Sequence, residues 1–235
     1  VTVSYFVLYE TDAGRPAQNV EPFVDYYATR HVDLVKRFPG LLSLAVMTPL
    51  AYEDPHLGQE AGPFLVAHLT FADAEALERA ALSEERRAAR ADVANFPPIK
   101  GRAAYQAMRD EYHDVAPGPA GQTRAPVCYI VVYRRPADDE AAFVDFYRRR
   151  HVPLLAAFPR IREVAVFTPI EWRDRPFATR ADLMLVNLTA FDSEIDFRAA
   201  MSSDARRQVR EDFARFPRFA GRCTHTAMAR RFVHP

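Results

Sequence analysis

An α+β fold, built twice within one chain and closed on itself, is what this sequence predicts, from three observations. The first is a repeated phrase: Phe143-Val-Asp-Phe-Tyr-Arg-Arg-Arg-His151-Val-Pro-Leu154, ending at Phe158-Pro159, occurs 120 residues earlier as Phe23-Val-Asp-Tyr-Tyr-Ala-Thr-Arg-His31-Val-Asp-Leu34, ending at Phe38-Pro39. The second is the order of elements, β-α-β-β-α-β in each half, which is that of one antiparallel four-stranded sheet with its helices on one face. The third is a requirement: such a sheet leaves its other face uncovered, and the simplest cover is the equivalent face of the other half. Two ferredoxin-like repeats pairing as an intramolecular α+β barrel satisfy all three.

The elements follow in order. Ser4 to Glu10 is short, apolar and rich in aromatic and β-branched residues, which predicts a strand, and Cys128 to Arg134 is its partner. The spacing there is 124, because the first copy has a longer connection through Thr11-Asp-Ala-Gly-Arg-Pro16. A helix follows over Glu21 to Arg37 and over Asp139 to Ala157, each stopped by Phe-Pro. The second strands are Leu41 to Pro49 and Ile161 to Pro169, each followed by a polar loop with an aromatic at the same place, Tyr52 or Trp172. Third strands, Phe64 to Phe71 and Leu183 to Phe191, lead into a helical region broken near Ser83 and Ser202, where a serine before a charged run is an N-cap signal. It ends at Phe96-Pro97 or Phe216-Pro217, and fourth strands open after Gly101-Arg102 and Gly221-Arg222. Residues 115–126, rich in Pro and Gly without periodicity, have linker chemistry and divide the chain into repeats at 1–114 and 127–235.

Composition removes several classes of function. Lys plus Arg and Asp plus Glu both number 31, so no excess of cations is available for a phosphate backbone, and no nucleic-acid partner is expected. No apolar run approaches membrane-spanning length and the first residues carry no signal-peptide pattern, so the expectation is a cytoplasmic protein with no membrane partner. Cys128 and Cys223 fit no redox or metal spacing and read as reduced core residues. No His-x-x-x-His, paired acid cluster or Cys-x-x-Cys appears, so no metal is expected; glycine-rich phosphate loops, dinucleotide fingerprints and nucleophile contexts are likewise missing.

The repeated helix carries the candidate chemistry. At about 100° per residue, Phe23, Leu34, Tyr27, Phe38, His31, Val24 and Val35 fall in one sector roughly 120° wide, and the second copy repeats the pattern with Phe143, Tyr147, His151 and Leu155. A histidine is thus aimed at the sheet in both halves. A lone histidine on an apolar face is usually a satisfied core residue. Against that, each has a tyrosine one turn earlier, Tyr27 or Tyr147. The first strands also place Tyr5 and Tyr9, and Tyr129 and Tyr133, at alternate positions on one sheet face. If that face is the helix side, a His/Tyr group lines a half-buried pocket; if not, these tyrosines are barrel packing. His68 and His225 rank lower because their counterparts read as Asn187 and Tyr105. Tyr52 and Trp172 are either pocket lids or plugs over the barrel ends.

The pattern Phe-x-x-Tyr/Phe-Tyr-x-x-x-His-x-Pro-Leu with a later Pro, inside a β-α-β-β-α-β unit, resembles the EthD family of the dimeric α+β barrel superfamily. The second half matches at Phe143, Tyr147, His151, Pro153, Leu154 and Pro159; the first matches at Phe23, Tyr27, His31, Leu34, Pro39 and Gly40, with Asp33 where proline is expected. Arg160 stands where the family has glycine. These departures predict pockets that need not be equivalent, with His151 the better match. The resemblance implies a small hydrophobic or aromatic, polyketide-like metabolite held between sheet and helices. Relatives include cofactor-free cyclases, isomerases, dehydratases and monooxygenases.

The expectation is therefore cofactor-independent lyase, isomerase or cyclase chemistry, with no cofactor, in which His31 or His151 moves a proton and Tyr27, Tyr147, Tyr9 or Tyr129 steadies an oxyanion. A positioned acid or base of near-neutral pKa contributes about 10²–10⁴ in rate. Tyr133, Tyr52 and Trp172 complete the substrate-binding candidates. The alternatives are a non-catalytic metabolite-binding or accessory protein and, third, a haem-binding barrel using a helical histidine. An intramolecular barrel permits a homodimer without requiring one.

Overall fold

The computed structural model describes residues 1–11, 19–55, 61–116, 118–173 and 179–234. The first half runs β1 (Val3–Thr11), α1 (Glu21–Tyr26), a π turn (Tyr27–His31), α2 (Val32–Val35), β2 (Leu41–Pro49), β3 (Leu65–Phe71), α3 (Ala74–Leu82), α4 (Glu84–Asp92) and β4 (Gly101–His113). The second runs β5 (Val127–Arg134), α5 (Glu140–Phe146), a π turn (Tyr147–His151), α6 (Val152–Ala156), β6 (Ile161–Pro169), β7 (Leu183–Phe191), α7 (Glu194–Met201), α8 (Asp204–Phe213) and β8 (Cys223–Val233). The strands close into one barrel in the order β1-β3-β2-β8-β5-β7-β6-β4. The halves join through antiparallel β2–β8 and β4–β6 pairs, so neither sheet keeps a free edge.

Strand alternation sorts the residues into two environments. Phe6, Leu8, Ala45, Met47, Cys128, Ile130, Phe167 and Met228 point inward and form the barrel core. Tyr5, Val7, Tyr9, Tyr129, Val131 and Tyr133 point outward, beneath the helices of their own half. This decides the question left by the sequence: the strand tyrosines are on the helix side. Burial on both faces explains why β1 and β5 read as nearly continuous apolar runs.

The barrel interior also encloses charge. Arg230 and Glu163, with side chains 0% and 1% exposed, pair at 3.0 Å, and Arg230 further donates to the carbonyls of Thr123 and Ala125. Glu163 accepts in addition from the backbone N–H and hydroxyl of Thr123, which ties the segment between the halves to β6 and β8. Cys128 is buried in the same core, and burial pushes its thiol up to about 12.

Several expectations change. The serine that caps α8 is Ser203, accepting from Arg206 N–H, while Ser202 ends α7; Ser83 caps α4 by accepting from Arg86 N–H, as the sequence suggests. The long helix contains a π turn ending at the histidine in both halves. That extra residue turns the following position inward, so Val32 and Val152 are buried although a regular wheel leaves them outside the apolar sector. Asp33 and Arg160 leave the local course of the chain intact: α2 and α6 both start directly after the histidine, α6 running one residue further, and Arg160 adopts φ 59°, close to the 74° of Gly40.

His68 is also reassigned. It pairs with Phe6 and Ala45 and points into the barrel, where its Nε2 lies 2.6 Å from Ser4 Oγ and its ring stacks on Phe6 at 4.5 Å. Strand pairing makes Leu188, not Asn187, its counterpart, because Asn187 pairs with Val131 and Val166 on the helix side. The similarity of His68-Leu-Thr to Asn187-Leu-Thr is out of step by one residue, which exchanges faces.

Burial, then the Arg230 charge, depress the His68 pKa from 6.5 to about 3, so the folded protein holds a neutral ring. Its contribution is complete above about pH 6.5 and falls with acidification, by about 1.4 kcal/mol per pH unit until the folded pKa is reached. Urea unfolding across pH is expected to show His68→Leu losing about 3 kcal/mol less than the parent between about pH 6.5 and pH 4. Equal acid sensitivity in the two proteins would refute the neutral buried ring.

Candidate functional site: two histidine–aspartate pairs between sheet and helices

The π turn places His31 over the sheet at 5% exposure, and His151 likewise at 4%. Each ring is held from α4 or α8. His31 Nδ1 lies 2.9 Å from Asp92 Oδ2, and His151 Nδ1 lies 3.0 Å from Asp212 Oδ2. Because a carboxylate only accepts, Nδ1 carries the proton of the neutral ring and Nε2 keeps the lone pair. Burial lowers both histidine pKa values, against the opposing pull of the aspartates, with Arg86 or Arg206 adding to the depression. Both rings are therefore neutral at pH 7.

Aromatic side chains fix each imidazole. Phe96 meets His31 edge-on at 4.7 Å and 86°, and Phe216 meets His151 with the same distance and angle. Tyr27 and Tyr147 lie 4.9 and 4.8 Å from their histidines. Tyr9 packs on Tyr27 at 5.5 Å, and Tyr133 on Tyr147 at 5.6 Å. Burial raises the pKa of Tyr9, Tyr27, Tyr129, Tyr133 and Tyr147, which keeps their hydroxyls protonated as hydrogen-bond donors.

The loop aromatics cover the opposite half rather than the barrel ends. Tyr52, from the first half, packs on Phe197 at 4.8 Å and on Tyr129 at 6.3 Å. Trp172, from the second, meets Tyr5 at 5.0 Å. The exchange is reciprocal in backbone as well: Leu50 N–H donates to Ala227 O, and Ile170 N–H to Ala107 O. Each cluster is thus completed by a loop of the other repeat.

The sequence-predicted residues fall into one cluster per half: His31, Tyr27 and Tyr9 with Trp172, and His151, Tyr147, Tyr129 and Tyr133 with Tyr52. His225 joins the second, 5.9 Å from Tyr129, its pKa lowered to about 3 by burial and then by Arg206. His68 joins neither. Sequence reasoning missed Asp92, Asp212, Arg86 and Arg206. The signal was present, because Ser83-x-x-Arg-Arg-x-x-Arg-x-Asp92-x-Ala-x-Phe-Pro97 recurs as Ser203 to Pro217. The two sites are not identical: Asp92 is also held by Tyr26 at 2.7 Å and Asn95 at 3.0 Å, where the second half has Phe146 and Arg215. Outside Asp212 a groove of about 420 Å³ is lined by Arg149, Arg150, Leu154, Gln208, Glu211 and Arg215.

Among the described residues no group of three His, Cys, Asp or Glu side chains could hold a metal ion, and no helix is long and apolar enough to cross a membrane. A comparison with curated proteins finds no match. Among solved structures, the chain is similar to an anthrone oxidase-like protein, with TM-score 0.66, 12% identity, and coverage of 98% of this chain and 93% of that one. It is also similar to a putative monooxygenase from Lactobacillus acidophilus NCFM, with TM-score 0.56, 9% identity and coverage of 99% and 96%. At these identities the likeness is one of fold. The EthD domain matches twice, at residues 15–97 and 135–219, and on that evidence the chain belongs to the EthD family, as a tandem duplication of its domain.

Proposed function

We propose that the protein binds a small hydrophobic or aromatic metabolite between sheet and helices and moves a proton on it, without a cofactor, through His31 or His151. The observation that carries this reading is the repeated pair: a buried, neutral imidazole whose Nδ1 is committed to a carboxylate, leaving Nε2 as base. In lyase, isomerase or cyclase chemistry, Nε2 would remove a proton from carbon in an enolisable substrate or from oxygen in a phenolic one. A protonated tyrosine would donate to the resulting oxyanion, and the imidazolium would return the proton. Asp92 or Asp212 would hold the ring in the required tautomer and stabilise its charged form.

A packed core explains one buried histidine more readily than two that each retain an aspartate partner 61 residues along the chain. The haem reading fits less well, since a porphyrin needs far more open space beside Nε2 than a small metabolite does, and both rings are packed beneath aromatic side chains at 5% and 4% exposure. A Soret band in the purified protein would revive it.

An anthrone is a suitable probe: its methylene proton is acidic, and a protein of similar fold is described as anthrone oxidase-like. Exchange of that proton in D2O, followed by NMR, is expected to fall about 10²–10⁴-fold in the double variant His31→Ala/His151→Ala, with anthrone affinity retained. Unaltered exchange would sink the histidine mechanism, and retained affinity without exchange in the parent would favour the non-catalytic binding protein.

A further inference from the structure

We propose that the site of the second half takes an aromatic acid, a planar ring bearing a carboxylate, and that Arg206 receives its anionic oxygens. This rests on the reading above that the space between sheet and helices is a ligand site, and it adds the chemical class of the ligand.

The loop that covers this site displays the groups of such a ligand. Tyr52 lays its ring edge-on to Phe197 at 4.8 Å and 75°, and to Tyr129 at 6.3 Å and 84°. Two residues on, the Asp54 carboxylate accepts from Arg206 at 2.5 Å and from the Tyr129 hydroxyl at 2.8 Å. The Asp54 and Arg206 side chains are both 7% exposed. A ring and a carboxylate, delivered by the other repeat, thus occupy an aromatic wall and a buried guanidinium.

Arg206 is not saturated by this arrangement. Its Nε–H is buried and meets no hydrogen-bond partner, although guanidinium groups favour two parallel bonds to one carboxylate. A buried donor left unpaired is costly, which a structural anchor would avoid and a site for a second, freely oriented carboxylate would not. Tyr129 links this ion pair to the rest of the cluster, its hydroxyl 2.8 Å from Asp54 and its ring 5.9 Å from His225, so an anion received at Arg206 lies within the cluster of the second half. The backbone supports the placement, because Ser203 caps α8 at Arg206 N–H and fixes the start of the helix. Asp54 is in this view an internal competitor, displaced when the acid binds.

The test is calorimetric titration of the full chain with 1-hydroxy-2-naphthoate and, separately, its methyl ester. Asp54→Asn is expected to bind the acid about tenfold more tightly than the parent, and Arg206→Gln about tenfold more weakly, with ester affinity changed in neither. The double variant Asp54→Asn/Arg206→Gln buries no unpaired charge; it should melt as the parent does and bind acid and ester alike, which separates lost recognition from lost fold. Acid affinity indifferent to Arg206→Gln, no gain in Asp54→Asn, or no binding of the acid to Asp54→Asn would each overturn the proposal. Arg206-dependent binding with histidine-independent proton exchange would remove the proposed function and leave this inference standing; the converse pair of results would do the reverse.

Discussion

Glu163→Ala is expected to cost about 3–5 kcal/mol of folding stability, because it strands a fully buried guanidinium in the barrel core. Arg230 cannot escape by losing its proton, since a guanidinium stays charged even when buried. The same change removes the acceptor for Thr123 N–H and Oγ at 2.7 and 2.9 Å, loosening the segment between the halves. For a chain of this size the corresponding fall in Tm is roughly 10 °C. The companion double variant, Glu163→Leu with Arg230→Met, replaces the pair by apolar groups of similar volume and should recover most of the loss. Chemical denaturation of the three proteins measures both effects. A double variant as unstable as the single one would mean that the pair contributes more than the relief of its own desolvation.

Replacing both aspartates, Asp92→Asn with Asp212→Asn, is expected to slow proton exchange about 10²-fold while leaving anthrone affinity close to that of the parent. Asparagine can donate to Nδ1 as well as accept from it, so the ring is no longer held in the tautomer that exposes a basic Nε2. The pH profile separates this positioning role from simple packing. Asp92 and Asp212 each raise the pKa of their histidine, opposing burial. Their loss should therefore move the acidic limb of the profile to lower pH as the maximal rate falls. A lowered rate with an unmoved acidic limb would indicate structural damage instead.

The repeat made the fold legible, and the same repeat held site information that local reasoning left unused. Strand and helix positions follow from apolar patterning, and β2, β6 and β7 begin and end where the sequence places them. Which face of β1 the tyrosines occupy did not follow, because β1 is buried on both sides and its polar residues, Ser4 and Glu10, are themselves buried on the barrel side. Barrel closure alone puts Tyr5 and Tyr9 outward. The π turns were hidden because a regular wheel has no place for an added residue, and with them the burial of Val32 and Val152. The His–Asp pairs span 61 residues, and nothing local in Arg90-Ala-Asp92 distinguishes that aspartate from a solvated one. Only its recurrence beside Phe-Pro in the second copy does. The crossing of Tyr52 and Trp172 to opposite halves is a consequence of the β2–β8 and β4–β6 pairing, which no single repeat encodes.

Two neutral imidazoles at pH 7, each with its proton on Nδ1 and a lone pair on Nε2, carry the proposed chemistry. Long-range ¹H–¹⁵N correlation spectra of ¹⁵N-histidine-labelled protein report that state directly, with His31→Ala and His151→Ala supplying the assignments. The expected result is the Nδ1–H tautomer for both residues at pH 7, giving way for each histidine to the other pattern, or to exchange between tautomers, when its aspartate becomes asparagine. Doubly protonated rings at pH 7, or the Nε2–H tautomer in the parent, would contradict the account.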